Sequence, residues 1–102
     1  MGCGNRANVV NHRANRGAGG HRGSNRLANA CALCWGCNDR IESDAIAARK
    51  ARELGVKISR DADPEQVPFY SQMFATWVHL HDDGLTLDVD SDEVENHLRS
   101  VA

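Results

Sequence analysis

The chain has 102 residues, 41% of them hydrophobic and only 5% aromatic, with 25% charged and a formal net charge of −2; that length suits one domain with a thin core, the kind that a bound metal often reinforces. No stretch approaches the roughly 20 apolar residues of a membrane span, and no apolar run follows Met1 as a secretory leader requires, so the expected setting is cytoplasmic. The charge is unevenly placed: residues 1–57 hold ten Lys or Arg against four Asp or Glu, about +6, whereas residues 58–102 hold two against ten, about −8.

In chain order, Asn8-Val9-Val10-Asn11-His12-Arg13 contains a β-branched pair and predicts a short strand. Gly17-Ala18-Gly19-Gly20 cannot sustain helix or strand, so Asn15 to Asn25 is expected to form an irregular basic loop whose backbone can approach a ligand. Leu27 to Leu33 predicts the second strand of a hairpin with the first, and Cys34-Trp35-Gly36-Cys37 a tight turn. Ile41, Ala45, Ala48, Ala51 and Leu54 recur at three- and four-residue spacing, which predicts one amphipathic helix over Asn38 to Leu54, closed by Gly55 in the C′ position.

Beyond Lys57 the chain turns acidic. Asp61-Ala62-Asp63-Pro64 predicts a turn and Val67-Pro68 extended backbone. Thr76 to His81 and Leu85 to Val89 flank Asp82-Asp83-Gly84, a hairpin signal, and Asp90 with Glu93 fits a capping box opening a last helix with Val94, Leu98 and Val101 on one face. The expected architecture is therefore α+β: a strand, loop, strand, Cys-turn and helix unit over 1–57, and an acidic extension over 58–102, packed on or beside it, with a small β-hairpin and a short helix.

Arg6, Arg13, Arg16, Arg22 and Arg26 accumulate with His12 and His21 in a stretch that has no acidic residue before Asp39. Such a footprint suits a polyanion, and arginine in particular suits planar phosphate contacts, so DNA is the expected partner and Arg13, Arg16, Arg22 and Arg26 its candidate contacts. Asn11 and His12 close the first strand, Asn29 opens the second, and Asn38 begins the helix beside Cys34-x-x-Cys37. Each feature alone is common in structural roles; it is their combination that carries information. Cys31 lies three positions before Cys34, but strand alternation points it to the opposite face, so it reads as a small core residue.

That combination resembles the HNH nuclease family, whose core is a ββα unit around one divalent metal. Asn11-His12-Arg13 is similar to the family's first-strand signature and Gly19-Gly20 to its loop glycines. Asn29 through Leu33-Cys34-Trp35-Gly36-Cys37-Asn38 resembles the family's asparagine, apolar strand, Cys-x-x-Cys and final ligand. The last position is usually His; an HNN variant with Asn there has the nine-residue separation that Asn29 and Asn38 show. Residues 3–55 carry the likeness, and 62–84, with Val67-Pro68, Trp77 and Asp82-Asp83-Gly84, resembles the trailing segment of short phage-encoded HNH proteins.

The resemblance implies a metal-dependent DNA endonuclease. His12 would be the general base, and Asn29 would orient it through hydrogen bonds. Asn11 and Asn38 would offer hard oxygens to Mg²⁺ or Mn²⁺, ions that suit phosphodiester hydrolysis. It also implies a structural Zn²⁺ site on Cys34 and Cys37, normally completed by an upstream Cys-x-x-Cys. Here Cys3 is the upstream cysteine and a fourth ligand is not identified, so either a few residues precede Met1 or the site is incomplete; a disulfide is the alternative that a cytoplasmic setting disfavours. A monomer with one such site should nick rather than cut both strands, though monomer and dimer are not distinguished. The competing expectations are a zinc-ribbon-like DNA-binding module without catalysis and a packaging accessory protein that meets a phage terminase.

Overall fold

A computed structural model describes residues 6–14 and 26–102, and its two small antiparallel sheets and three helices give the α+β class expected. Strand β1 (Val9–His12) pairs with β2 (Ala30–Leu33) in the register Val9 to Leu33, Asn11 to Cys31 and His12 to Ala30. Because successive strand side chains alternate, Val9, Asn11, Cys31 and Leu33 share one face and Val10, His12, Ala30 and Ala32 the other. The first face is the inner one: Leu33 joins Ile41, Ala51 and Val56 in the core cluster, with Val9 and Cys31 packed against it, whereas Val10 stays exposed. Cys31 is thus a small, partly buried core residue. The expected strand over Leu27 to Leu33 begins instead as a 3₁₀ turn (Leu27–Asn29), closed by the Asn29 N–H donating to the Arg26 carbonyl.

The single helix expected from Asn38 to Leu54 is two. Helix α1 (Trp35–Ser43) starts earlier, at the Cys turn, where the Cys34 sulfur caps it by accepting from the Cys37 N–H at 3.4 Å. Asp44 then leaves helical geometry (φ −127°, ψ 119°): its N–H closes α1 on the Arg40 carbonyl, and its carboxylate opens α2 (Ala45–Glu53) by accepting from the Ile46 N–H. A short carboxylate that competes for backbone donors favours a cap over a helix interior, and apolar periodicity is blind to that competition. Helix α2 ends as expected, on Gly55 (φ +73°), with the Val56 N–H reaching back to the Ala51 carbonyl and the Gly55 N–H to that of Arg52. That pair of bonds is a Schellman closure, and both Ala51 and Val56 are in the core cluster.

Val56 to Ile58 then runs along the free edge of β1. The Ile58 N–H donates to the Arg13 carbonyl, the Asn11 amide donates to the Val56 carbonyl, and Ala14 and Ile58 form a parallel bridge. The second sheet has the order β3 (Phe69–Ser71), β4 (Thr76–Leu80), β5 (Thr86–Asp88). The hairpin of β4 and β5 was expected, with slightly longer strands; β3 was not, since its three residues carry no legible alternation of their own and are held by pairing with β4 and by Tyr70 N–H donating to the Leu54 carbonyl.

Helix α3 (Ser91–Val101) opens on Asp90, whose carboxylate accepts from the Glu93 N–H at 2.8 Å. It lies against β4 through Trp77 and His97, edge to face at 5.9 Å, and through His79 and Glu93 at 2.8 Å; it touches α2 through the His97 ring and the Glu53 carbonyl. Residues 58–102 are therefore interlocked with the first half of the chain.

Candidate active site

His12 is the last residue of β1 and is half-buried. Its backbone is held from both edges. On the outer edge the Lys57 ammonium donates to the His12 carbonyl at 3.0 Å. On the hairpin side the next residue, Arg13, donates its N–H to the Asn29 carbonyl at 2.7 Å, and the fully buried Asn29 side chain brackets Ala14, accepting from its N–H at 2.7 Å and donating to its carbonyl at 3.2 Å. An asparagine matches both peptide groups at once because its amide carries an acceptor and a donor. Asn38 sits half-buried in the first turn of α1, a helix that packs against β1.

Three assignments made from sequence change. Asn11 was expected to bind the cation beside His12; being adjacent on a strand, the two side chains point to opposite faces. Asn11 faces inward at 4% exposure, with its amide donating to the Val56 carbonyl at 3.0 Å and to the Cys31 sulfur at 3.3 Å. A hydrated Mg²⁺ or Mn²⁺ has no place on that packed face.

Arg13 was expected to contact DNA and is instead completely buried. Its guanidinium donates to four carbonyl oxygens, of Gly55 and Pro64 at 2.7 Å and of Ala28 and Val67 at 2.9 Å, with the Phe69 ring 5.5 Å away. Burial pushes its pKa down to about 10, so it remains a cation at neutral pH. These four bonds serve the fold, tying the end of β1 to the 3₁₀ turn, to the close of α2 and to the turn over residues 64–67.

Arg26 was also expected on DNA and is taken up by the acidic half: it meets Asp82 at 2.8 Å, Asp63 at 3.0 Å and Glu65 at 3.3 Å. Its pKa is raised chiefly by the hydrogen bond to Asp82. Asp82 also accepts from the Ala28 N–H at 2.9 Å, and that bond, followed by Arg26, holds its carboxyl below the usual aspartate value. A carboxylate depressed in the folded state stabilises above its unfolded pKa, near 4, and that contribution is lost as pH falls through the lower folded value. Asp82→Asn is therefore expected to be less stable than the wild type at pH 7 in urea titrations, the two curves converging only well below pH 4; a constant gap across that range would contradict the role given to this ionic clasp.

Cys34 and Cys37 are buried side by side, and Arg40 approaches the Cys37 sulfur at 3.6 Å. Two thiols are half of a tetrahedral zinc site. Among the described residues no group of three or more His, Cys, Asp or Glu is arranged to hold a metal ion, and Cys3 lies outside them, as do Arg16, Arg22 and His21.

Lys57 escaped the sequence reading. It follows the helix-closing glycine with no motif around it, and its partner His12 is 45 residues away. Burial lowers its pKa, opposed by the nearby Glu42 and Cys31. No family model, no curated protein and no solved structure matches the chain.

Proposed function

We propose that the chain is an HNH-type endonuclease that hydrolyses DNA phosphodiester bonds, with His12 as general base. The observation that carries this reading is the double hold on the end of β1, where Lys57 and Asn29 fix the backbone on either side of a half-buried histidine. A base must meet an attacking water in a set geometry, and a shift of about 1 Å is costly. Imidazole as a side-chain type takes up and releases protons in the neutral range, which suits that task.

In this reading Asn29 is a positioning residue, acting on His12 through Arg13 and Ala14. Asn38 is the hard oxygen donor left in the constellation once Asn11 is turned into the core. A Mg²⁺ or Mn²⁺ ion bound with the phosphate would offset charge on the phosphorane and on the leaving 3′-oxygen. A single neutral amide gives such an ion little grip by itself, so metal and DNA are expected to bind together. Arg16 and Arg22 remain the proposed backbone contacts, and salt-sensitive affinity follows from them. Cys34 and Cys37 would supply two thiolates to a structural zinc site, with Cys3 the proposed third ligand.

The test is relaxation of supercoiled plasmid with Mg²⁺ or Mn²⁺, against EDTA and His12→Ala. Metal-dependent nicking that falls roughly 10²- to 10⁴-fold in the variant is the expected result; cleavage that survives the substitution in a folded variant removes His12 from the chemistry. The second reading, a DNA-binding module or packaging accessory without catalysis, is favoured by the loss of Asn11 from the ligand set, and salt-sensitive binding with no cleavage in either metal would establish it.

A further inference from the structure

A cleft of about 680 Å³ opens between α1, α2 and the last turn of α3, floored by the segment that follows Lys57. Its size is within the range usual for small-ligand sites, roughly 300 to 1,000 Å³. Ile41, Ile58, Val67 and Val101 give it apolar walls, and the small side chains of Ala48 and Ala62 leave its depth clear. Lys57 and Arg52 contribute two cations to the lining and Glu42, on α1, one carboxylate. Apolar walls with a net positive charge in the lining suit an anion that carries a flat apolar body.

We infer that this cleft binds a nucleotide unit, its base against Ile41, Ile58 and Val101 and its phosphate against Lys57 and Arg52. The choice of a nucleotide among such anions rests on the nuclease reading; the existence of the site does not. Glu42 lies close enough to Lys57 to favour its charge, so a phosphate there displaces that carboxylate's influence and needs Arg52 as the second cation. The same ammonium holds the His12 carbonyl at 3.0 Å, so the occupied cleft adjoins the strand end that carries His12. Two sources share this chemistry: a free mononucleotide, and a nucleotide of the strand being cleaved.

Calorimetric titration of the full chain with 5′-dAMP, without divalent metal and at low salt, tests the site. Saturable binding is expected, with Kd on the order of 1 mM or tighter, weakened about tenfold or more in Lys57→Gln as a charge-assisted phosphate contact is lost. Ser100 lines the cleft from an exposed position on α3, so Ser100→Trp should block it without disturbing the core; an unchanged melting temperature checks this. Deoxyadenosine and inorganic phosphate should each bind at least tenfold more weakly than dAMP.

Absence of saturable dAMP binding, equal affinity in Ser100→Trp, or phosphate alone binding as well as dAMP would each overturn the inference. A short single-stranded oligonucleotide that binds more tightly than dAMP, and loses that advantage in Ser100→Trp, assigns the cleft to the substrate strand; equal or weaker binding assigns it to a free nucleotide. The readout needs neither metal nor cleavage. A chain that binds dAMP and never nicks plasmid sinks the nuclease alone, and one that nicks without binding dAMP sinks the cleft alone.

Discussion

Arg13→Ala is expected to cost at least about 4 kcal/mol, enough to leave little or no cooperative unfolding transition in urea at 25 °C. The guanidinium is fully buried and serves the carbonyls of Ala28, Gly55, Pro64 and Val67. Truncation would open a cavity and leave those four acceptors without this donor, and a buried group left unsatisfied costs about 1 to 3 kcal/mol. Even the low end of that range, taken four times, approaches the ~5 to 15 kcal/mol that a whole domain has.

Arg13→Lys keeps the charge, but an ammonium is a point donor that cannot span acceptors spread around a planar fork. It should still lose roughly 2 kcal/mol or more by the same count of unmet carbonyls. A variant at position 13 that unfolds with the wild type and loses only DNA affinity would place this guanidinium on the phosphate backbone after all. Loss of binding in an unfolded variant reports the fold and carries no information about contacts.

The second large effect is expected at Gly55, where Ala should cost about 3 kcal/mol or more. Two causes add. The residue has φ +73°, where an L side chain costs roughly 1 to 2 kcal/mol. A Cβ there would also collide with the Pro68 carbonyl oxygen and crowd the Phe69 Cα, both backbone atoms that cannot swing aside. The movement needed would strain the strand entering β3 and the Gly55 carbonyl that accepts from Arg13 at 2.7 Å.

Gly84 supplies the control. It has φ +87° in the β4–β5 turn, and a Cβ there would meet only the Leu27 side chain at an ordinary 3.7 Å. Gly84→Ala should therefore lose only the backbone term, about 1 to 2 kcal/mol. In a domain of this size each kcal/mol moves the melting temperature by roughly 4 to 8 °C, so the gap between the two variants is measurable by circular dichroism. Equal losses at the two glycines would show that the approach of Pro68 contributes nothing.

The residues divide according to how far away their partners lie. The α+β class, the hairpin around Asp82-Asp83-Gly84, the Asp90 cap with Glu93, the Gly55 stop and the inward turn of Cys31 were all legible in the sequence. Each depends on a side chain and neighbours within a turn or on the two-residue period of a strand. Of the candidate set His12, Asn29 and Asn38, the structure joins Asn29 to the backbone after His12, at Arg13 and Ala14, and carries Asn38 separately on α1. The break at Asp44 is also local, a carboxylate that caps, but the apolar periodicity runs through it without interruption.

Tertiary structure alone decided the fate of the arginines and of Lys57. Arg13 and Arg26 belong, in sequence, to the same basic run as Arg16 and Arg22, and composition cannot separate them. One is buried among carbonyls 15 to 54 residues away, and the other is clasped by carboxylates of the acidic half. A cation binds whichever acceptors the folded chain gathers around it. The +6 and −8 halves are in part partners of each other: Arg26 of the first is ion-paired with Asp63, Glu65 and Asp82 of the second.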